Sequence, residues 1–263
     1  MLLFLALAHA DTLYAIDYVN DIIVAYDTLL GTRTPHLPLG FNYGFGDLAY
    51  DDILQRAYIL HASGLELYTW DLRRGTLTRT GSLPVAIDAA DVDPLTGDIF
   101  GVELSSFGLV RVDPTTLAVT HLGVYHPFVA TGAYWDVARD RLIADENATW
   151  FHAWSRTGGY TYLGGSGVFM PNNDFDIDST GIIWSFNSFG TRTAIDGSSL
   201  TTIFQTSGFF NSDALFIDNG LLAPGARITA TGPVSCPGPV PPRIAGLTPE
   251  HKPNHTQIGR AHA

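Results

Sequence analysis

The sequence predicts an all-β fold, a β-propeller ring of five four-stranded antiparallel blades. Three observations predict it. Short β-rich runs ending in a polar residue recur about every forty-two residues. Two further series of runs keep the same phase, each closed by Asp or Ser and followed by turn formers. No stretch sustains the apolar spacing of a helix.

The first series is Leu13 to Asp17, Ala57 to His61, Ile99 to Glu103, Leu142 to Glu146 and Ile183 to Asn187, with starts 44, 42, 43 and 41 residues apart. The second is Val24 to Asp27, Tyr68 to Asp71, Val110 to Asp113, His152 to Ser155 and Thr193 to Asp196. Each ends in a side-chain oxygen ahead of turn residues such as Arg73-Arg74-Gly75 or Gly197-Ser198-Ser199. That oxygen can accept the N–H groups of the turn, so each pair of runs reads as a hairpin. The third series is Leu48 to Asp51, Ala90 to Asp93, Ala133 to Asp136, Phe175 to Asp178 and Leu215 to Asp218; its closing Asp recurs at 42, 43, 42 and 40 residues. With the strand after each turn, the unit has four strands, the size of one propeller blade.

Phase sets the blade count. The chain begins its repeats with a second strand at Leu13 and ends them with an inner strand at Leu215 to Asp218. Placing these two in one sheet closes a five-bladed ring and removes two exposed sheet edges. A longer native chain with six or seven blades is the alternative.

These residues resemble bacterial secreted proteins with YVTN- or NHL-like propeller repeats. Leu13 to Asp17, Val110 to Asp113 and Ile87 to Asp93 carry the resemblance, which covers roughly Thr12 to Leu222. It implies a binding scaffold and leaves the ligand open. Residues 1–10 read as a signal peptide: Leu2 to Leu7 is apolar, and Ala8-His9-Ala10 fits a cleavage site. The propeller is expected over 11–223, in a protein that is secreted or held at a bacterial cell surface. Residues 224–263 read as a Pro-rich linker and the start of a further β-domain. No apolar run is long enough for a transmembrane segment.

Net charge is −12, from 14 basic and 26 acidic residues. The cations that would neutralise phosphates are missing, which argues against nucleic acid as a partner. The single cysteine, Cys236, excludes an internal disulfide.

Sites are sought where inner strands begin and second strands end, by analogy with propellers in general. That mouth collects Asp17, Asp47, Asp88, Glu103, Glu146, Asp174 and Asp213. Two readings follow. Carboxylates so close could hold a cation, with Ca²⁺ the best match for oxygen ligands, or they accept backbone hydrogen bonds in loops. Phe41, Tyr43 and Phe45, Tyr125, His126 and Phe128, Phe169 and Met170, and Phe209 and Phe210 enrich the connections into inner strands. Such rings near carboxylates suit a sugar ring or an organic cation, or seal neighbouring blades; the expected partner is a glycan or a protein ligand. Trp70, Trp154 and Trp184 fall within strands and are expected in the core. Asp47, Asp88 and Glu103 imitate the acid–base pairs of five-bladed glycoside hydrolases, and Asn172-Asn173-Asp174 faintly echoes the lactonase propellers. A structural surface protein is a third reading. No Gly-rich phosphate loop, Ser-His-Asp elbow or cysteine cluster occurs.

Overall fold

The computed structural model describes residues 12–27, 32–125, 130–169, 173–178, 181–187, 189–206 and 212–218. The leader and tail expectations lie outside these residues. All described regular structure is strand, in five sheets of four.

The second blade is β4 (Gly46–Asp51), β5 (Arg56–His61), β6 (Glu66–Asp71) and β7 (Thr76–Ser82). The third is β8 (Ile87–Val92), β9 (Ile99–Glu103), β10 (Gly108–Val112) and β11 (Val119–Tyr125). The fourth is β12 (Gly132–Asp136), β13 (Arg141–Glu146), β14 (Trp150–Ser155) and β15 (Tyr160–Gly165). The fifth is β16 (Asn173–Ile177), β17 (Ile182–Asn187), β18 (Arg192–Asp196) and β19 (Thr201–Thr206). Both ends of the chain build the first: β20 (Ser212–Asp218) pairs antiparallel with β1 (Thr12–Asp17), followed by β2 (Ile22–Asp27) and β3 (Arg33–Pro38). The ring therefore closes as the phase of the repeats requires. The inner strands β4, β8, β12, β16 and β20 touch in that order and return to β4.

The recurring Asp holds the turns. Asp51 accepts the N–H groups of Ile53 and Leu54, each at 2.9 Å. Asp93 takes the Leu95 N–H and the Thr96 hydroxyl. Asp178 takes the Ile182 N–H and the Trp184 indole N–H. At the next turn outward the same role falls to Asp71, Asp113, Ser155 and Asp196. A short side-chain oxygen at a strand end satisfies donors that the ladder leaves unpaired.

Packing lies between blades. Five buried apolar clusters each join neighbouring sheets. Between the first and second blades, Tyr14 and Tyr50 stack on Phe216 while Trp70 meets Tyr14 edge-on. Trp70, Trp154 and Trp184 are all buried, as expected of core residues. Each such side chain is worth about 1.5–3 kcal/mol when fully buried.

Candidate functional site

Strand register defines one mouth of the channel. Gly46 lies opposite His61, Ile87 opposite Glu103, Gly132 opposite Asp145, Asn173 opposite Asn187 and Ser212 opposite Asp17. Inner strands thus begin, and second strands end, on one face.

The mouth carboxylates have separate roles. Asp47 is buried; Oδ1 accepts the Leu48 N–H at 2.7 Å and Oδ2 the Ala90 N–H of the next blade. Asp174 repeats this, accepting Phe175 N–H at 2.7 Å and Leu215 N–H of the first blade at 2.5 Å. The two carboxyls also hydrogen-bond each other. Burial raises both well above the usual carboxylate range, and two anions in contact would repel, so the pair shares a proton. Gly132 makes the arrangement fit. A Cβ there would stand 2.4 Å from Asp174 Oδ1.

One layer deeper the pattern recurs with Asp91 in β8 and Asp176 in β16. Asp91 accepts N–H groups from Tyr50 in the preceding blade, Trp135 in the following blade and its own neighbour Val92. Burial nevertheless pushes it up to about 7. Asp176 takes Ile217 N–H across to the first blade. The innermost strand of a blade is a sheet edge, and these side chains satisfy its inward N–H groups. Between the fourth and fifth blades an amide does the work. Asn173 Nδ2 donates to Asp145 Oδ2 at 2.8 Å and to Ser185 Oγ at 3.0 Å. Burial lifts Asp145 to about 7.

The ends of the second strands mostly cap their own turns. Asp17 accepts N–H from Val19 and Asn20, and Asn187 from Phe189 and Thr191. Burial pushes the Glu103 carboxyl up, but the Ser105 and Ser106 hydroxyls, with His121, outweigh it and hold the group below its usual range. Asp88 lies on β8 and opposes ionisation of Asp47. Glu146 Oε2 has no hydrogen-bond partner among the described residues, and burial raises this carboxyl. Asp213 is in β20, but its side chain lies outside what is described.

A Ca²⁺ ion needs several open oxygens converging within coordination range. Among the described residues no group of three or more His, Cys, Asp or Glu is so arranged. The oxygens of Asp17, Asp47, Asp174 and Glu103 already hold the donors given above.

The second blade departs from the capping pattern. His61 ends β5, and its ring accepts no turn N–H. Instead Nε2 lies 2.8 Å from Ser63 Oγ and Nδ1 lies 3.3 Å from Glu66 Oε2. Nothing in the sequence flagged this grouping, because it matches no strand-turn-helix motif.

The rim is aromatic and open. Phe45 (38% exposed), Phe169 (69%) and Phe189 (66%) stand in connections on this face, with Val19 and Leu65, and Trp150 (45%) heads β14 there. Tyr43 is fully buried, and Phe41 packs against the core. His126, Phe128, Met170, Phe209 and Phe210 lie outside the described residues, as does the side chain of Tyr125. On the opposite face the exposed apolar side chains in connections, Ile53, Leu54, Leu95 and Val137, are aliphatic, and Tyr160 (47%) is exposed at the head of β15. A cavity of about 240 Å³ there is lined by Ile53, Leu54, Arg56, Asp71, Arg73 and Arg74.

No protein-family model matches the chain, and no curated protein matches it. Solved structures do. A chain of a nidogen/laminin complex aligns with a TM-score of 0.61 at 11% identity, covering 80% of this chain and 99% of that one. A Bacteroides thetaiotaomicron protein of unknown function aligns at 0.55 and 17% identity, covering 84% and 69%. A streptogramin B lyase aligns at 0.46 and 12%, covering 74% and 65%. At these identities the likeness is one of fold: this chain is a β-propeller of five blades.

Proposed function

We propose that the protein is an exported binding scaffold that takes a protein or glycan ligand on the face carrying Phe45, Trp150, Phe169 and Phe189. The observation that carries this reading is the contrast between the connections of the two faces: among the described residues, the exposed rings that stand in connections, Phe45, Phe169 and Phe189, share one face with Trp150 at the start of β14, while Tyr160 heads β15 toward the other. Aromatic side chains are enriched in binding hot spots, and exposed rings cost solvation unless something covers them. The rigid ring holds these connections in fixed relation, as scaffolds for recognition loops do. The matched chain of the nidogen/laminin structure comes from a protein complex, and that supports a propeller as a docking scaffold.

Asp47 and Asp174 support an acid–base role poorly, since both are buried and bonded to backbone N–H groups. The test is a glycan array alongside capture of bound proteins by photo-crosslinking from position 169. A ligand retained by the native protein and lost in Phe169→Ser/Phe189→Ser supports the reading. Binding unchanged by that pair, or mapped to the Ile53–Leu95 face, overturns it.

A further inference from the structure

We infer that Ser63, His61 and Glu66 form a nucleophilic acyl-transfer site acting on small carboxylic esters. All three come from one hairpin: His61 ends β5, Ser63 sits in the turn and Glu66 begins β6. Ser63 is an exposed residue whose Oγ lies 2.8 Å from His61 Nε2, and the other ring nitrogen faces Glu66 at 3.3 Å. A serine beside a histidine that is oriented by a carboxylate is recognised by this geometry and not by chain order.

Four further observations separate the group from an ordinary turn. First, at the equivalent turns the side chains of Asp17 and Asn187 accept N–H groups in addition to the backbone turn bonds, whereas here the Gly64 and Leu65 N–H groups go to the backbone oxygens of His61 and Ala62. The imidazole is therefore not needed to hold the turn. Second, two glycines leave room for it. A Cβ on Gly64 would stand 2.5 Å from His61 Nδ1 and Cε1, and one on Gly44 2.8 Å from Ser63 Oγ. Third, the carboxylate is fixed as an anion. Tyr68 OH donates to Glu66 Oε2 at 2.8 Å and Arg79 Nε to Oε1 at 2.7 Å, holding the group down at about 2. Fourth, the ring is caged: Phe41, Tyr43 and Tyr68 lie 5.1, 6.2 and 6.4 Å from it, centroid to centroid.

Proton accounting gives the resting and active forms. Ser63 Oγ also lies 3.0 Å from Tyr43 O. With both ring nitrogens protonated, Nδ1–H donates to Glu66, Nε2–H to Ser63, and the serine hydroxyl to Tyr43 O. Loss of the Nε2 proton turns that nitrogen into an acceptor and the serine proton toward it. In that form Oγ attacks the ester carbonyl carbon while Nε2 takes the hydroxyl proton. The C–O bond to the alcohol breaks, Nε2 returns the proton to the leaving alkoxide, and an acyl-serine remains. Water then attacks the acyl carbon, gives its proton to Nε2, and the serine leaves with that proton, releasing the acid. Among the described residues no hydrogen bond from the Ser63 N–H is seen, which leaves it as the backbone donor for the oxyanion in this proposal. One such donor in place of two lowers turnover by about 10²–10³, to the order of 0.01–0.1 s⁻¹ against a typical enzyme near 10 s⁻¹.

The experiment treats the full chain with a fluorophosphonate and measures p-nitrophenyl acetate hydrolysis against pH. The expected result is a phosphonyl adduct on Ser63 found by peptide mass spectrometry. Hydrolysis of p-nitrophenyl acetate exceeds the buffer blank. Ser63→Ala abolishes both, His61→Gln lowers hydrolysis at least about 100-fold and flattens the pH profile, and Glu66→Gln lowers it about 10-fold, consistent with the usual 10²–10⁴ for a general base. A Ser63→Cys variant alkylated faster than its His61→Gln double mutant provides a second measurement that does not depend on turnover. Absence of a Ser63 adduct on the folded protein, or hydrolysis unchanged in Ser63→Ala, overturns the inference.

Discussion

Asp47 and Asp174 meet across the channel from blades that are not neighbours, hydrogen-bonded to each other while each also binds the N–H of an inner strand beyond its own blade. One shared proton thus ties the second, third, fifth and first blades together at one mouth. The relationship explains how an acidic chain packs carboxyls into its interior. Each buried acid satisfies donors that the ring would otherwise strand, at the cost of its own charge.

Asp47→Ala is expected to destabilise the fold without opening a ligand site. It strands the Leu48 and Ala90 N–H groups, at about 1–3 kcal/mol for each buried donor. For a domain of this size that is a fall in Tm on the order of 5–15 °C. Thermal unfolding followed by circular dichroism measures it; an unchanged Tm would show that the two N–H groups find other partners.

Millimolar Ca²⁺ is expected to leave Tm where it is. The oxygens of Asp17, Asp47, Asp174 and Glu103 already hold protein donors. A site with useful affinity would raise Tm by mass action, on the order of 2.7 kcal/mol of stability at a hundred times Kd. A rise of several degrees on adding Ca²⁺, reversed by chelator, would contradict this assignment.

Much of this was legible in the sequence, and the reason is repetition. The Asp residues that close β4, β8, β12, β16 and β20 recur at near-constant intervals, so their turn role, the blade and the closure by β20 could all be read from spacing. Asp91 and Asp176 carried no such mark. Their partners, Trp135 and Ile217, are 44 and 41 residues away, and only the stagger of neighbouring inner strands shows that they meet. Glu146 was singled out for its place at a strand end, while the acid buried in the polar network is Asp145. A shift of one residue along a strand exchanges its two faces. Ser63, His61 and Glu66 stayed hidden because their spacing resembles any polar turn, and the contact depends on the room left by Gly44 and Gly64.

Phe169→Ser combined with Phe189→Ser is expected to leave Tm within about 2 °C, since substitutions away from packed features stay near ±0.5 kcal/mol. Ligand binding is expected to weaken at least tenfold, about 1.4 kcal/mol. Comparing the melting curve with a binding isotherm on the captured ligand separates the two effects. A large loss of stability would mean that these rings seal blades instead of facing a partner.

The central claim is that the channel acids are protonated staples of the ring, and the dependence of Tm on pH tests it most directly. Burial pushes Asp91 and Asp145 up to about 7 in the fold and raises Asp47 and Asp174 well above the usual carboxylate range. A carboxyl whose folded value is raised contributes its stability in full below the unfolded value, near 4, and loses it as pH climbs through the folded value. Each such proton changes stability by at most about 1.4 kcal/mol per pH unit within that window. The account predicts that Tm falls steadily from pH 4.5 to 7.5 and that Asp145→Asn makes the fall shallower. A Tm that is level or rises over this range would show that these carboxyls are ionised in the fold, and would contradict the account.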